Sequence, residues 1–233
     1  MKYLTGDEVR ALELKANEIR QSIIEMLTEA GSGHTAGPLG MADIFTLLYF
    51  AVMKHDPKNV DWEERDRLIL SNGHICPVLY ATMAHAGYFP VEELLTLRKL
   101  GSRLQGHPHR QTLPGLETSS GPLCSGLSQA VGMAIAERMN NPYSAKYFYC
   151  LTGDGELDEG QIWEALLLAG KEKLNNLIMI VDRNGIQIDG YTKDVMPLEP
   201  LAEKFASFNF DVQEVDGHNM RAMNDAIGKA QAV

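Results

Sequence analysis

Residues 147–190 read YFYCLTGDGELDEGQIWEALLLAGKEKLNNLIMIVDRNGIQIDG, and this stretch decides the fold. YFYCLT at 147–152 and LIMIVD at 177–182 are β-rich apolar runs without alternation, the pattern of strands that are buried on both faces. The residues between them, 158–173, have the length of a helix that Asp158 can cap and Gln161 can support. A strand, a helix and a strand in this order predict parallel strands joined by a right-handed crossover.

The chain before this unit contains further helices and a strand. Thr5 and Glu8 form a capping-box pattern in front of an amphipathic helix that ends near Ala30. The glycine-rich residues 31–40 predict a loop, and MADIFTLLYFAVM at 41–53 predicts a second helix. RLIL, at 67–70, predicts a strand that leads through a loop into a helix over 77–86.

The chain after the unit continues the same alternation. DVQEVDG at 211–217 predicts another strand, and a helix is expected from Asn219 to the end of the chain at Val233. No repeat or linker-like stretch divides the sequence. We therefore expect an α/β protein with a doubly wound, mostly parallel sheet and helices on both faces, in a single domain over residues 1–233.

Composition limits the class of protein. The chain has 233 residues, of which 45% are hydrophobic and 22% charged, with a net charge of -10. This charge repels a polyphosphate backbone, so no nucleic acid partner is expected. The three cysteines show no CxxC spacing, which suits a reducing compartment, and the sequence predicts neither a signal peptide nor a membrane span. These features predict a soluble cytoplasmic protein.

Polar residues follow both strands of the central unit. Asp154, between Gly153 and Gly155, follows the first strand, and Asn184 follows the second. Ligands of parallel sheets bind beyond the carboxyl ends of the strands. Asp154, Asn184 and a backbone carbonyl would leave positions on Mg²⁺ for diphosphate oxygens and water. For either motif alone, a simple turn built from Asp, Asn and Gly is the alternative.

Four of the seven histidines directly follow a glycine: His34, His74, His107 and His218. Glycine-containing loops concentrate functional residues. Imidazoles that converge on one cavity can bond hydroxyls and phosphates and move protons near neutral pH. Taken singly, each is equally well a loop or packing histidine, and His55, His85 and His109 receive no role.

The stretch 153–190 resembles the thiamine diphosphate signature of transketolases, in which GDG is followed by an asparagine about thirty residues on. Four more blocks resemble transketolase blocks in the family's order: SGHTAGPLGMADI at 32–44, LSNGHICPVLY at 70–80, LQGHPHR at 104–110 and GLETSSGPLCSGLSQAVGMAIAER at 115–138. The resemblance covers most of residues 10–219.

The resemblance implies a cofactor and the residues that bind it. Thiamine diphosphate would be held through Mg²⁺, or through Ca²⁺ or Mn²⁺ in its place, with Asp154, Asn184 and the carbonyl of Ile186 as metal ligands. The other residues implied in cofactor binding are His74, Gly121, Leu123, Gly153, Gly155 and Ile188.

The resemblance also assigns residues to substrate and subunit contacts. His34 and His107 would line the substrate channel and bond sugar hydroxyls near the reacting carbon. Glu159 and Glu164 are similar to the family's subunit-contact glutamates, with an exposed helix turn as the alternative, and a structural role is expected for His218. The sequence departs from the family at His109, where Glu or Ser is usual, and at Cys124, where a glycine normally allows close approach.

The length of the chain implies a partner. A complete transketolase continues into a pyrimidine-binding domain, whose glutamate activates the aminopyrimidine, and into a third domain. The chain thus resembles the N-terminal subunit of a split transketolase. The KGKG-like turn that usually closes the domain is missing after Val233, so a domain truncated at its C-terminus is the alternative to a complete one. A C-terminal, pyrimidine-domain subunit would join it in a hetero-oligomer with a dimeric core.

The expected reaction is transfer of a two-carbon ketol unit between sugar phosphates. The alternatives are a deoxyxylulose phosphate synthase or a 2-oxoacid dehydrogenase subunit, which share GDG and the asparagine, and a non-catalytic subunit that binds the cofactor.

Overall fold

The computed structural model describes residues 3–188 and 190–233, which form an α/β structure with a parallel sheet flanked by helices. Its α-helices and strands in chain order are α1 (Gly6–Ala30), α2 (Ala36–Gly40), α3 (Ala42–Leu47), β1 (Arg67–Leu70), α4 (Cys76–His85), α5 (Ser125–Asn140), β2 (Phe148–Gly153), α6 (Gly160–Glu172), β3 (Leu177–Asp182), β4 (Ile186–Gln187), β5 (Gly190–Tyr191), α7 (Thr192–Val195), α8 (Leu201–Ser207) and α9 (Met220–Ala230). A π-helical turn at Leu48–Val52 follows α3, and 3₁₀ turns lie at Gly73–Ile75, Val91–Thr96 and Gly155–Asp158. Within the described residues, none of these helices is long and apolar enough to cross a membrane.

The chain divides into two compact units. The helical unit comprises the chain up to Arg65 together with Gly73–Ser119 and Val215–Gly228. The sheet unit comprises Asp66–Asn72, Ser120–Glu214 and Lys229–Val233. The single domain over 1–233 stays a prediction, and residues 1, 2 and 189 of that range lie outside the described part.

Three parallel strands, in the order β1-β2-β3, organise the sheet unit. Phe148 of β2 pairs with Arg67 on one side and with Leu177 on the other, and Gly153 at the end of β2 pairs with Asp182 at the end of β3. The predicted α/β class with parallel strands is thus confirmed. Since the strands run in one direction, their carboxyl ends and the residues that follow lie at one edge of the sheet.

The core of the sheet unit lies between the strands and three helices. Residues 148–152 of β2 are all buried, as the unbroken apolar run predicts for a central strand. Apolar side chains of α5, α6 and α8 pack with them into one cluster that includes Ile69, Leu127, Val131, Phe148, Cys150, Ile162, Leu166, Leu177, Leu201 and Phe205. This packing fixes the strand ends that carry the polar loops.

The helical unit is built on α1, which follows the predicted capping box. Glu8 N donates to Thr5 Oγ1 at 3.3 Å, and Thr5 N donates to Glu8 Oε2 at 2.9 Å. The residues buried at the predicted helical spacing are Leu12, Ala16, Ile19, Ile23 and Met26, and α1 packs against α3 and α4.

Two predictions about helices need correction. The stretch 31–40 is not all loop, because residues 36–40 form α2; Pro38 is tolerated there since the first turn of a helix needs no N–H from it. Asp158 does not cap α6, because it ends a 3₁₀ turn over Gly155–Asp158 and accepts from Gln187 Nε2 at 3.1 Å. Glu159 occupies the cap position without a side-chain hydrogen bond.

The strand predicted at 211–217 is also wrong. Residues 211–216 form neither helix nor strand, and Val215 is largely exposed. A strand is stabilised by pairing and by a buried face, and this segment has too few buried side chains to supply the second. The final helix does begin after Asn219, whose Oδ1 accepts from Ala222 N at 3.0 Å, but it ends at Ala230.

Gly170 of α6 gives a test of the packing in the sheet unit. A Cβ at this position would lie 2.0 Å from the carbonyl oxygen of Phe208, whereas one at Gly132 of α5 would meet nothing within 4 Å. We expect Gly170→Ala to lower the free energy of unfolding by about 1 to 3 kcal/mol through overpacking. The matched Gly132→Ala should raise it by roughly 0.5 to 1 kcal/mol, because alanine favours the helix. Urea unfolding of both variants measures this, and equal effects would contradict the packing.

Candidate functional site

Asp154 is a buried polar residue at the carboxyl edge of the sheet. It follows β2, is only 1% exposed, and its N–H donates to the carbonyl oxygen of Asp182 at 3.1 Å. Its Oδ1 accepts from Gly155 N at 2.9 Å, and its Oδ2 accepts from Gly185 N at 2.7 Å and from Arg183 Nη1 at 3.0 Å. The carboxylate is therefore ordered without any ligand.

The loop after β3 carries the other two predicted metal ligands. Asn184 Oδ1 accepts from Ile186 N at 2.9 Å, while Asn184 Nδ2 donates to Asp182 Oδ2 at 3.0 Å. Gly185 between them has a φ of 78°, a conformation that favours glycine. Since Gly185 N binds Asp154, the structure brings Asp154 together with the loop of Asn184 and Ile186.

The oxygen atoms in this loop suit a hard divalent cation. Asp154 Oδ1 and Asn184 Oδ1 each accept one backbone N–H, and an oxygen of either kind can form a second bond. Carboxylate, amide and carbonyl oxygens are the ligands that Mg²⁺ prefers, with water and phosphate completing its six positions. In the described part of the chain, no group of three His, Cys, Asp or Glu residues could hold a metal ion.

Arg183 is a site residue that the sequence reasoning missed. Besides Asp154, it contacts Glu199 through Nε at 3.1 Å and through Nη2 at 2.5 Å, both to Glu199 Oε1. These contacts raise the pKa of the guanidinium, the bond to Glu199 contributing most, so it stays charged beside Asp154. Its position directly before Asn184 in the sequence is the signal that could have identified it as a site residue.

Glu156 is a second missed residue. It lies within the GDG turn region, is 3% exposed, and accepts hydrogen bonds from Ser71 Oγ, Cys124 N and Gly153 N. Burial raises the pKa of its carboxyl, and the three hydrogen bonds oppose that shift. Nothing in the local pattern signals these contacts, because Ser71 and Cys124 are distant in sequence.

The segment 121–124 presents two of the predicted cofactor contacts. Gly121 is exposed and Leu123 is 36% exposed, whereas the Cys124 side chain is fully buried. Cys124 has a φ of 70°, and its Sγ donates to the carbonyl oxygen of Glu156 at 2.8 Å. Burial raises the pKa of this thiol to about 12, so it stays protonated. The unusual cysteine therefore points into the protein and leaves the exposed surface of the loop to Gly121 and Leu123.

The remaining predicted cofactor contacts of the sheet unit lie near the same edge. Gly153 N donates to Glu156, and a Cβ on Gly155 would lie 2.9 Å from the Cβ of Gln187. A side chain at position 155 would therefore clash with Gln187 of β4, which favours glycine there. Ile188 is 93% exposed, so its side chain is available to a ligand or a partner.

In the helical unit, three of the four glycine-preceded histidines come together. The ring centroids of His34 and His74 are 4.9 Å apart. His107 is close enough to contribute to the lowered pKa of His74. Burial, followed by His34 and His107, lowers the pKa of His74 to about 4. His74 is therefore neutral at physiological pH, with one ring nitrogen that donates and one that accepts.

Close contacts explain why two of these histidines follow glycines. A Cβ on Gly106 would lie 2.9 Å from Arg98 Nε, and one on Gly33 would lie 3.7 Å from it and 2.5 Å from a Leu27 methyl group. The Arg98 guanidinium thus packs closely against Gly106, whereas Gly33 is required by the Leu27 methyl group and by its own φ of 132°. After burial, the guanidinium is the next cause that lowers the pKa of His107. Sequence spacing does not reveal this residue.

His218 lies apart from this cluster. Its Nδ1 is 2.7 Å from Asp43 Oδ2, and Asp43 also accepts from Arg20 Nη1 at 3.1 Å. This network joins the residues before α9 to α1 and α3 of the helical unit, which agrees with the structural role expected for His218.

Glu159 and Glu164, the predicted subunit-contact residues, are both exposed at the start of α6. Leu167 and Leu168, one turn further on, are exposed as well. This arrangement leaves polar and apolar side chains on the surface of one helix.

Comparisons with known proteins identify the family. The family described as "Transketolase, thiamine diphosphate binding domain" matches residues 12–233. The chain belongs to this family. The 6-deoxy-6-sulfo-D-fructose transketolase subunit SqwG of Clostridium sp. (strain MSTE9) is 44% identical over 94% of the chain and 79% of that protein. An apulose-4-phosphate transketolase subunit of Actinobacillus succinogenes is 42% identical over 94% of the chain and 79% of that protein.

Solved transketolases share the fold. The crystal structure of the Campylobacter jejuni enzyme superposes with a TM-score of 0.90 at 38% identity, covering 97% of this chain but 36% of that one. The chain thus spans about a third of the solved transketolase and about four fifths of the two subunit relatives. The predicted membership in the transketolases, with a thiamine diphosphate-binding domain of the kind found in their split subunits, is confirmed.

The buried histidine gives a pH-dependent prediction. The pKa of His74 is about 4 in the folded chain and about 6.5 when unfolded, so below pH 6.5 the unfolded state binds a proton that the folded state does not. Above pH 6.5 the His74 ring is neutral in both the folded and the unfolded state, so its protonation does not change the free energy of unfolding. As the pH falls from 6.5 towards 4, stability should drop relative to His74→Gln, on the order of 1 to 2 kcal/mol after solvent screening. Urea unfolding at several pH values measures this, and parallel pH curves for the two proteins would contradict it.

Proposed function

We propose that this chain is the N-terminal, diphosphate-binding subunit of a split transketolase. Together with a subunit that carries the pyrimidine-binding domain, it transfers a two-carbon ketol unit between sugar phosphates in the cytoplasm, as in the pentose phosphate pathway. The cofactor is thiamine diphosphate, held through Mg²⁺, which Ca²⁺ or Mn²⁺ can replace. The observation that carries this proposal is the buried, ordered Asp154 carboxylate beside the loop of Asn184.

The metal ligands would be Asp154, Asn184 and the carbonyl of Ile186. Bound thiamine diphosphate supplies the carbon–carbon bond chemistry of ketol transfer. Arg183 and the N–H groups of Gly155 and Gly185 keep the Asp154 carboxylate oriented. Binding of the metal would therefore cost little side-chain entropy at Asp154. The proposed cofactor contacts are Gly121, Leu123, Gly153, Gly155, His74 and Ile188.

His34 and His107 are the proposed substrate-binding residues. Both are exposed in the helical unit, and the ring nitrogens of an imidazole can form hydrogen bonds with a sugar hydroxyl. Cys76 Sγ donates to Gly106 O at 3.2 Å and Tyr80 Oη donates to Gln105 O at 2.9 Å, which fixes the segment in front of His107. Such fixed groups can orient the substrate with a small loss of entropy.

A second subunit is required because the buried carboxylates near the proposed cofactor site are already engaged. Asp154 is bonded to Gly155, Gly185 and Arg183, and Glu156 accepts from three donors while buried. In the family, the glutamate that contacts the aminopyrimidine lies on a different domain. Both relatives named above are subunits of a transketolase, and the exposed Glu159, Glu164 and Leu167 offer a surface for the partner in a hetero-oligomer with a dimeric core.

The metal site is tested by Asp154→Ala. We expect this variant to lose Mg²⁺-dependent binding of thiamine diphosphate, because an anionic chain can hold the diphosphate at this loop only through the cation. Asp154→Asn keeps the shape of the side chain and tests whether its negative charge is needed for binding. Calorimetry with and without Mg²⁺ is the measurement, and the exposed Asp211→Ala is the matched control. Unchanged affinity in both Asp154 variants would overturn the site.

The need for a partner is tested by assaying the purified chain with Mg²⁺, thiamine diphosphate, xylulose 5-phosphate and ribose 5-phosphate. We expect no sedoheptulose 7-phosphate from the chain alone and clear formation once the pyrimidine-domain subunit is added. Product formation from pyruvate instead of xylulose 5-phosphate would favour the synthase alternative. Robust activity of the chain alone would contradict the two-subunit proposal.

A further inference from the structure

We propose that Glu156 is a positioning residue that holds segment 121–124 against the GDG turn, so that both face the cofactor in a fixed arrangement. This inference rests on the proposed function, because it concerns the same cofactor site. The hydrogen bonds of the Glu156 carboxylate go to Ser71, Cys124 and Gly153, and none of these is a proposed metal ligand or substrate residue. It acts through the backbone of the two segments that carry the cofactor contacts.

The carboxylate joins three separate segments of the sheet unit. Its Oε1 accepts from Cys124 N at 2.5 Å and from Ser71 Oγ, which follows β1, and its Oε2 accepts from Gly153 N at 3.0 Å. Gly153 stands next to Asp154, and Cys124 stands next to Leu123. One buried side chain thus sets the distance between the diphosphate end and the proposed aminopyrimidine end of the site.

The conformation of Cys124 makes segment 121–124 depend on this bond. Cys124 is a non-glycine residue with a φ of 70°, a strained conformation for a side chain of its kind. It precedes α5 without a side-chain cap of its own. The hydrogen bond from Cys124 N to the Glu156 carboxylate therefore stabilises both the strained residue and the start of α5.

The flanks of the segment are anchored by other contacts. Ser120 Oγ donates to Leu70 O at 2.5 Å, and a Cβ on Gly126 would lie 2.5 Å from the Cα of Ser71. Both flanks lie against the end of β1, so Glu156 controls the part between them. The backbone of Gly121 and Leu123 is the part that a cofactor ring would meet.

Both side-chain oxygens of Glu156 accept hydrogen bonds, so a replacement of equal size is not enough. Two of its three donors are backbone N–H groups, which cannot reverse to become acceptors. A glutamine would turn its amide N–H₂ towards one of them, leaving two donors face to face in a buried place. This mismatch displaces the segment even though the side chain fits.

The experiment measures the affinity of thiamine diphosphate with Mg²⁺ for the full chain and its partner subunit by calorimetry. Glu156→Gln should weaken this affinity by about tenfold or more, while the exposed Glu203→Gln should leave it within about twofold. Leu174→Ala provides a control for stability, because Leu174 belongs to the core cluster and precedes β3 at the opposite edge of the sheet. It should lower the unfolding midpoint without a comparable loss of affinity.

Ser71→Ala serves as a milder variant if Glu156→Gln fails to fold, since it removes one donor and should weaken affinity by about threefold. Wild-type affinity in Glu156→Gln or in Ser71→Ala would overturn the inference, as would an equal loss in Leu174→Ala at matched stability. A wild-type complex that binds no cofactor would overturn the proposed function itself, which is a separate result.

Discussion

The buried Asp154 carboxylate is the interaction on which the rest of the site depends. The Gly185 N–H and Arg183 can reach it only because β2 and β3 pair in parallel, with Gly153 opposite Asp182. That register follows from two unbroken apolar strands packed against α5 and α6. A shift by one residue would turn the side chains of β3 to the other face and move the Asn184 loop away from Asp154. The core packing of the sheet unit therefore also fixes the geometry of the Asn184 loop beside Asp154.

The sequence predicted those elements whose signal is local. β3 spans the predicted residues 177–182 and β2 lies one residue from its predicted bounds, since a run of β-branched and aromatic residues marks a buried strand by itself. The capping box of Thr5 and Glu8 is equally local. The strand predicted at 211–217 is wrong because two valines in a short polar segment cannot show whether a strand pairs or buries a face. The cap at Asp158 failed because a 3₁₀ turn, stabilised by the residues around it, takes the position where the helix was expected.

The residues of the candidate site likewise fall into those with a local sequence signal and those without one. Motif spacing identified Asp154, Asn184 and the cluster of His34, His74 and His107, which the described contacts bring together within their own units. Three residues were missed: Arg98, Arg183 and Glu156. Each of them acts on residues that are distant in sequence or on the backbone, and such contacts leave no periodicity or composition signal. The structure thus adds the residues that hold the motif residues in place, which motif spacing alone cannot reveal.

The charges of the described residues bear on how an acidic chain would hold the proposed diphosphate. Arg183 shares its charge with Asp154 and Glu199, and His74 is neutral at physiological pH because burial lowers its pKa to about 4. Neither can give a diphosphate the full attraction of a free cation. A divalent metal at the Asp154 loop would supply that attraction locally, without changing the overall charge of -10 that repels larger polyanions such as nucleic acids. The same side chains that order the carboxylate therefore favour the proposal that the anion is bound through a metal.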